Sequence, residues 1–569
     1  MSLTDPRPWI AMAAAALPSL LAWNVSPSPT FLNQALALAA WGAFVAASMP
    51  AAPGRAPWPL WAAMGAVALA AAWSWGPGAL PATLALSALG LLAAAALVAA
   101  GGAGAGARVD APAVFAAFCW GWLLAGGFNV AVAVIQVFLP DLPDGNWIAR
   151  SGLPGRAVGN LRQPNHLSSL LLWACIAAVA LVELRRLGRR AGALALAALV
   201  FALVLTASRT GLVSVLLLAL WAAVDGRLAR ATRWLLAATP ALYGACWLAM
   251  VQWAAAARHT FGGAARLAES DISGSRFGIW ADTLALIRQQ PWTGVGFGEF
   301  NFAWTLTPSP GRPVAFFDHT HNLPLQLAVE LGLPLAAAVM ALLLWALARG
   351  LRGAWATAGD AGTARRAAML MVLTIGLHSL LEYPLWYAHF LLPAAWAWGF
   401  ALQPAAPART RAPAPWLAWG GVALVAAAVL AVVDYARVAL IFSARPGLPP
   451  LEQRIASGQR SVLFGHHADY AALTSGVAPP GAAPAFDRAT HYLLDTRLMI
   501  AWAQALAAQG RLDEARHLAE RLREFRKPDA ESFFDPCAPA ASAAAAGASA
   551  PFQCEAPARA PGWRSYLAP

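Results

Sequence analysis

Long apolar runs separated by short polar gaps occupy most of the chain. A hydrocarbon core about 30 Å thick is crossed by a helix of roughly 17–25 apolar residues, and runs of that length recur here. The pattern predicts about thirteen membrane spans. They lie near residues 8–23, 30–48, 58–74, 79–100, 112–139, 164–184, 192–207, 211–225, 232–255, 322–348, 366–381, 385–402 and 415–443. The chain is therefore predicted to be an all-α polytopic membrane protein.

The composition agrees with this pattern. Hydrophobic residues make up 59% of the 569 residues and charged residues only 12%, whereas soluble domains carry roughly 25% charged residues. These values exclude a disordered chain, a fibrous repeat and an ordinary cytosolic enzyme. The net charge of +12, from 39 Lys+Arg against 27 Asp+Glu, would also suit a nucleic-acid-binding protein. In a membrane protein such a surplus usually marks cytoplasmic loops, so the positions of the arginines decide.

Arginines are concentrated in alternate gaps between the predicted spans. Because short loops rich in Arg and Lys stay in the cytoplasm, these gaps define the cytoplasmic side. The arginines in question are Arg7, Arg55, Arg108, Arg185, Arg186, Arg189, Arg190, Arg227, Arg230, Arg233, Arg349, Arg352, Arg365, Arg366, Arg409 and Arg411. The N-terminus is then cytoplasmic, whereas 145–163, 256–321 and the C-terminal tail lie on the outer side. No nucleic-acid partner is expected.

Four segments follow from this topology. They are the N-terminal spans (1–255), a large outer loop (256–321), the C-terminal spans (322–444) and a helical outer tail (445–569).

Within the outer loop, apolar residues recur at helical spacing. Phe277, Trp280, Leu284 and Ile287 predict an amphipathic helix that lies on the membrane surface or on the spans.

The tail contains a predicted helical hairpin around Gly510. The pattern from Ala505 to Ala515 resembles one tetratricopeptide unit, although a generic helical hairpin would fit as well. Cys537 and Cys554 also lie in the tail, which is in an oxidising compartment under this topology. A disulfide between them is predicted, the alternative being two unpaired thiols.

Four polar clusters occur within or at the mouths of spans, all on the outer side. Such groups are costly in or near hydrocarbon unless they face a cavity or a partner, so they indicate function. The clusters are 159–166, 208–211, 274–276 together with 319–322, and 378–387.

Two of the clusters carry arginines that suit an anion. Pro164 is typical of a first helical turn, and the free amides there, with Arg162 beside them, can bind a negative group. A plain polar helix cap is the alternative. Arg209, in a tight turn between two spans, needs a phosphate, a carboxylate or a path to the headgroups.

The other two clusters carry histidines and a carboxylate. His319 and His321 could bind a metal only with further ligands, and none has suitable spacing, so no metal site is expected. His321 is a candidate general base, since neutral imidazole accepts a proton near pH 7, and a helix cap is the alternative. An aromatic belt would explain Trp386, but it does not explain Glu382 or His378.

In this order, the clusters resemble those of a known family. The chain is similar to bacterial O-oligosaccharyltransferases of the PglL type, within the superfamily of O-antigen ligases (WaaL) and O-antigen polymerases (Wzy). The resemblance rests on the motifs 160–166, 319–332 and 382–387, and on the tail segments 533–537 and 551–554.

The resemblance implies a multi-pass protein of the bacterial inner membrane with its active site facing the periplasm. The donor would be an oligosaccharide on undecaprenyl pyrophosphate, and the acceptor a Ser or Thr hydroxyl of a pilin or another exported protein. Matching positions are Gln163, His321 and Tyr383 for catalysis, and Arg209 and Arg276 for the lipid phosphates.

A metal-independent mechanism without a cofactor follows as a hypothesis. Arginines hold the pyrophosphate, His321 accepts the hydroxyl proton, and Gln163 and Tyr383 position sugar or acceptor. Arg162 would assist the other arginines. The supporting residues are His319, Asn165, Asn322 and Glu382.

Three alternatives remain open. An O-antigen ligase would transfer the same glycan to lipid A-core, and a Wzy-type polymerase would transfer it to another lipid-linked repeat. A transporter would also place polar residues along a membrane path, but it would more often show matched internal repeats. A scaffold protein would leave the buried polar residues unexplained.

Overall fold

A computed structural model describes residues 6–48, 51–264, 274–403, 412–476, 483–538 and 550–567. Within these ranges the regular structure is helical, apart from a single bridge between Ala51 and Pro413. The α-helices are α1 Arg7–Leu20, α2 Phe31–Ser48, α3 Trp58–Trp75, α4 Ala82–Gly106, α5 Ala111–Phe138, α6 Pro164–Glu183, α7 Arg189–Thr206, α8 Arg209–Val224, α9 Arg230–Ala237, α10 Thr239–Ala257, α11 Gly274–Gln289, α12 Phe300–Leu306, α13 Leu323–Ala356, α14 Gly359–Ser379, α15 Ala388–Ala401, α16 Pro415–Ala439, α17 Leu451–Gly458, α18 Gly465–Thr474, α19 Ala483–Ala489, α20 Thr496–Ala508, α21 Leu512–Glu524 and α22 Glu531–Phe534. Short 3-10 helices cover Pro384–Trp386, Pro528–Ala530, Asp535–Cys537, Phe552–Cys554 and Trp563–Tyr566.

Every predicted span coincides with a helix or, for 232–255, with the pair α9 and α10. Among the described residues, 8 helical segments are long and apolar enough to cross a membrane. They are Phe31–Ser48, Ala82–Gly106, Ala111–Phe138, Pro164–Glu183, Arg189–Thr206, Arg230–Ala257, Leu323–Ala356 and Pro415–Ala439. The predicted all-α polytopic membrane fold is confirmed, while the number of spans stays a prediction.

The chain forms two compact units. Unit 1 comprises Met1–Met64, Leu91–Ser270 and Ala341–Val432, and unit 2 comprises Gly65–Gly90, Asp271–Met340 and Val433–Pro569. The domain boundaries expected from the sequence, at 255/256, 321/322 and 444/445, stay predictions.

The centre of unit 1 is α6. Of its apolar window 89% is buried, far more than in the other candidate spans. Burial on nearly all sides shows that neighbouring helices surround α6, including its polar residues Ser168 and Ser169. Trp173 of α6 is fully enclosed, and its indole donates a hydrogen bond to the carbonyl of Met371 at 3.0 Å.

The arginine-rich gaps are joined to one another within unit 1. Arg227 donates to the carbonyl of Thr357 at 2.8 Å, and the buried Arg366 pairs with Asp225 at 2.6 Å. Arg185 likewise pairs with the carboxylate that opens α14. These contacts agree with the prediction that the gaps share one side of the membrane.

The core of unit 2 combines the segment after α11 with the tail. Phe300 and Trp304 share one apolar cluster with Leu518 and Phe525. The predicted hairpin is present as α20 and α21, with Gly510 in the left-handed region between them (φ +77°). A disulfide joins Cys537 and Cys554 at the end of the same tail.

Arg312 links the segment after α11 to the tail. Its side chain is fully buried, pairs with Glu524 at 2.9 Å and also donates to the carbonyls of Thr305 and Thr307. The rings of Trp304 and Phe525 lie 5.0 and 4.5 Å from the guanidinium carbon. Burial lowers the pKa of Arg312 to about 10, although Glu524 offsets part of that effect.

The predicted amphipathic helix is present as α11. Of its predicted apolar residues Ile287 is buried, whereas Phe277 and Leu284 are 61% and 42% exposed. Ile279, Thr283 and Leu286 are buried as well. Both faces of α11 are rich in apolar residues, so the spacing of the apolar residues predicts the helix without showing which face packs.

Candidate active site

The loop before α6 is held by side chains from within unit 1. Gln136 accepts hydrogen bonds from the amides of Val158 and Gly159, both at 2.9 Å. Asn160 is fully buried and accepts from the amide of Ala149 at 3.0 Å. The motif predicted at 159–166 therefore begins on a rigid support, and Gln136 supplies part of it.

Arg162 and Gln163 end this loop. Arg162 has φ +60° and donates to the carbonyl of Ala22 at 2.7 Å and of Gly145 at 3.3 Å. Burial lowers the pKa of Arg162. Gln163 caps α6 because its side chain accepts a hydrogen bond from the amide of His166 at 2.6 Å. Both side chains hold the start of α6 in this structure.

Asn165 connects three elements of unit 1. Its amide donates to the Glu382 carboxylate at 2.9 Å, across 217 residues of sequence. Its oxygen accepts from the Ser208 hydroxyl at 2.7 Å, and Ser208 also caps α8 by accepting from the amide of Gly211. The structure thus brings the first, second and fourth polar clusters together at one residue.

Arg209 and Tyr383 lie beside this junction in the chain. Arg209 is the first residue of α8, directly after Ser208, and its side chain is exposed. Tyr383 follows the buried Glu382, is itself half-buried, and stacks against Tyr387 with ring centroids 6.1 Å apart. The capping of α8 by Ser208 fixes where the backbone of Arg209 begins.

A second cluster of polar side chains, which the motifs do not predict, lies four residues along the chain from the junction, at Ser169 and His378. The hydroxyl of Ser169 and Nδ1 of His378 share a hydrogen bond of 2.7 Å. The ring of His166 lies 5.9 Å from that of His378 and 6.1 Å from that of His389. Neither ring nitrogen of the buried His389 has a hydrogen-bond partner among the described residues. His389 was missed because it follows the 382–387 motif inside an apolar run.

The turn at 319–322 belongs to unit 2 and is built mostly from local contacts. The amide of the fully buried Thr320 donates to Gln326 at 2.8 Å, and its carbonyl accepts from Trp280 of α11 at 2.9 Å. Asn322 caps α13 by accepting from the amide of Leu325 at 3.1 Å. Thr320 therefore anchors the turn, and the two histidines on either side of it are half-buried.

His321 occupies the exposed part of this turn. It has φ +56°, is half-buried, and its ring meets Phe317 edge-on at 5.5 Å. The ring of the preceding His319 pairs with Asp318 at 2.9 Å. The side chain of Asp318 is 48% exposed. Partial desolvation would raise its pKa, but the charge and hydrogen bond of His319 outweigh this effect and lower the pKa. Asp318 is thus an ionised partner that holds the His319 ring.

The glycine segment 294–298 supports the same region. Its amides pair with α13: Val295 donates to the carbonyl of Val329 at 2.8 Å, and Gly296 to that of Glu330 at 3.1 Å. At Gly332, α13 leaves helical geometry (φ 75°, ψ 161°). A Cβ on Gly294 would lie 2.5 Å from the backbone of Glu330, so only glycine allows this approach. The segment is thus a packed support for α13.

Glu330 is buried at this kink. Its carboxylate accepts from Gln326 at 2.9 Å and from the amide of Gly298. Through Gln326 the carboxylate is linked to the amide of Thr320.

The predicted residues are thus divided between the two units. Arg162, Gln163, Asn165, Arg209, Glu382 and Tyr383 belong to unit 1, and Arg276, His319, His321 and Asn322 belong to unit 2. Arg276 is half-buried near the start of α11. Within the part of the chain that the structure describes, no group of three or more His, Cys, Asp or Glu residues has metal-binding geometry.

Three family models match the chain. Residues 194–340 match the O-antigen ligase model, residues 366–533 match the C-terminal part of a virulence factor membrane-bound polymerase, and residues 157–182 match a protein glycosylation ligase. The first match contains Arg209, Arg276 and the 319–322 turn.

Two curated relatives come from Acinetobacter baylyi. A general O-oligosaccharyltransferase is 34% identical over 141 residues, which is 25% of this chain and 23% of the relative. A ComP-specific O-oligosaccharyltransferase is 25% identical over 283 residues, which is 48% of this chain and 47% of the relative. The aligned region therefore spans less than half the length of either relative.

The fold is that of an all-α polytopic membrane protein, and parts of the chain are similar to O-antigen ligases and to membrane-bound polymerases. The glycosylation-ligase match and the two relatives support a resemblance to the PglL type. The glycosylation-ligase match at 157–182 covers the 160–166 motif on which the predicted resemblance rested.

Proposed function

We propose that this protein transfers an oligosaccharide as one block from undecaprenyl pyrophosphate to Ser or Thr hydroxyls of exported, pilin-like proteins. The reaction takes place at the periplasmic face of the bacterial inner membrane. The junction at Asn165 carries the proposal, since it joins two motifs of the resemblance, 160–166 and 382–387, to the cluster that holds Arg209, with hydrogen bonds of 2.9 and 2.7 Å. The names of the curated relatives support a protein acceptor.

Arginines hold the donor in this proposal. Arg209 and Arg276 bind the pyrophosphate and stabilise the negative charge that grows on it as the sugar departs. Guanidinium groups match phosphate oxygens in pairs, so two of them can take up this charge without a metal. Arg162 contributes less to donor binding, because its Nη2 atom already donates to two backbone carbonyls.

His321 activates the acceptor. It takes the proton of the Ser or Thr hydroxyl while the hydroxyl oxygen forms a bond to the anomeric carbon. The bond from that carbon to the phosphate oxygen breaks, and undecaprenyl pyrophosphate leaves with the electron pair. A direct displacement of this kind inverts the anomeric centre. Gln163 and Tyr383 position the sugar or acceptor, while Asp318 and His319 keep the turn in place.

Co-expression tests this function directly. Cells that contain the protein, a lipid-linked glycan and a pilin should yield pilin whose intact mass has increased by one glycan block. Arg276→Ala should reduce this product most at limiting donor. Arg288→Ala is the matched control, because Arg288 is an exposed arginine at the end of the same helix. Equal product from both variants at limiting donor would remove Arg276 from the donor site.

The O-antigen ligase match over 194–340 and the polymerase-like match over 366–533 support two other acceptors. A ligase would modify lipid A-core, and a polymerase would lengthen the lipid-linked glycan. Unmodified pilin together with a shift in lipopolysaccharide would favour the ligase. Longer lipid-linked glycan without either change would favour the polymerase.

A further inference from the structure

A cavity of about 430 Å³ opens in unit 1 at the end that carries the arginine-rich gaps. Its lining includes Arg7, Arg108 and Arg186. Arg7 precedes the first predicted span, and the other two come from different gaps between predicted spans. A volume of roughly 300–1,000 Å³ is typical of small-molecule sites. From the sequence, these arginines only indicate the cytoplasmic side. None of them is part of the proposed transfer reaction.

The charges in the lining are unbalanced. Arg108 pairs with Asp110 through two hydrogen bonds of 2.7 and 2.8 Å. This pairing lowers the pKa of Asp110 despite partial burial, and the nearby charge of Arg7 lowers it further. Among the described residues that line the cavity there are thus three guanidinium groups and one carboxylate.

The dipoles of the nearby helices do not change the positive sign of the charge in the cavity. The cavity lies at the N-termini of α1 and α5 and also at the C-termini of α2 and α4. The positive ends of two helix dipoles and the negative ends of two others therefore meet there and largely cancel. The arginine side chains decide that the cavity attracts an anion.

The rest of the wall is apolar. Phe44, Val114 and Trp120 contribute to it, together with several alanines. An inorganic phosphate ion fills only a small part of a cavity of about 430 Å³. The rest would hold water, at about 30 Å³ per molecule, and most of the apolar surface would stay in contact with it. A glycerophosphate headgroup with the start of its acyl chains would cover both the charged and the apolar parts.

We propose that this cavity binds a phosphate group, carried by an anionic phospholipid of the cytoplasmic leaflet or present as free phosphate. Arginine forks bind phosphate oxygens in pairs, and basic pockets between membrane helices on the cytoplasmic side bind anionic headgroups. The volume and the apolar wall favour the phospholipid. The proposal is independent of the transfer reaction.

Native mass spectrometry of the delipidated full-length protein in detergent tests the site. Phosphatidylglycerol, phosphatidylethanolamine and inorganic phosphate are titrated separately. Phosphatidylglycerol should remain bound after activation, and Arg186→Gln should weaken it about fivefold, as expected for the loss of one basic group near an anionic headgroup. Arg190→Gln is the matched control, because Arg190 is an exposed arginine of the same gap and is not part of the lining.

A second variant tests the cavity without changing its charge. Ala113 is an exposed residue of the lining, so Ala113→Trp should fill the space and remove the lipid adduct. The thermal unfolding of every variant is measured in parallel to establish that it folds. Displacement of the lipid by millimolar inorganic phosphate would identify free phosphate as the source. Equal binding of both lipids by all variants, with no effect of inorganic phosphate, would overturn the proposal.

Discussion

The polar groups of unit 1 and the turn of unit 2 are held in different ways. In unit 1, Asn165 bonds to Glu382 and Ser208, which are 217 and 43 residues away in sequence. In unit 2, the turn is held mainly by bonds within 6 residues, such as that from the amide of Thr320 to Gln326. The first arrangement depends on how several helices pack, whereas the second follows largely from local sequence.

This difference separates stability from chemistry. A change at Asn165 disturbs three elements at once, so its effects on folding and on transfer cannot be distinguished. A change at His321 affects a half-buried ring on a turn that Thr320 anchors. The turn is therefore the better place to test catalysis, and the junction the better place to test packing.

The largest expected effect is on transfer by His321→Asn. Asparagine tolerates the left-handed backbone at φ +56° but cannot act as a base. Glycan transfer to pilin should fall by roughly 10²–10⁴-fold, the range for losing a general base, with an unchanged unfolding temperature. His259→Asn, at an exposed histidine of the same predicted outer loop, should transfer normally. Normal transfer by His321→Asn would exclude His321 as the base.

Asn165→Leu should cause the largest loss of stability. The substitution keeps the branching and the number of heavy atoms but removes two hydrogen bonds, one of them to a buried carboxylate. A cost of about 2–4 kcal/mol is expected, visible as a lower unfolding temperature in detergent. Asn146→Leu is the control, because Asn146 is an exposed asparagine of the same unit. A double-mutant cycle with Glu382→Gln should show coupling, and strictly additive effects would contradict the junction.

Lowering the pH should decrease the folding stability of the tail of unit 2. Burial lowers the pKa of His517 to about 4, from a model-peptide value of 6.5, and its Nε2 donates to the carbonyl of Leu306 at 2.8 Å. Between pH 6.5 and 4 the unfolded tail binds more protons than the folded one, so stability falls as the pH falls. Hydrogen exchange in 496–524 should be faster at pH 5 than at pH 7 after correction for intrinsic rates.

The variant His517→Gln serves as the control for this pH effect. It keeps an N–H donor for Leu306 but removes the titrating ring, so the difference between pH 5 and pH 7 should shrink. His467, whose pKa burial also lowers to about 4, remains and should leave part of the effect. Identical corrected exchange at both pH values in the unchanged protein would contradict the prediction.

The smallest expected effect is that of Asn322→Ala. The substitution removes the cap on the amide of Leu325 and should cost about 1 kcal/mol. Thermal unfolding measures this loss beside that of Asn165→Leu. Equal losses for the two variants would remove the contrast between a local turn and a junction of distant helices.

Much of the fold could be predicted because the length of an apolar run is a local property. The helices lie where the apolar runs predict them, and the caps at Gln163 and Asn322 lie within their motifs. The bond between Asn165 and Glu382 could not be predicted, since nothing in either motif specifies its partner. Arg312 was missed for a similar reason: a loop arginine becomes buried only when the tail covers it.

Sequence alone was sufficient to place the chain in a membrane and to identify the polar clusters within it. Both conclusions rest on transfer free energies, which depend on residue type and on the length of the run. Folding was needed to select the face of α11 that is buried, to dock the glycine segment against Glu330, and to gather three arginines around one cavity. These outcomes depend on which helices meet, and that is settled by packing over the whole chain.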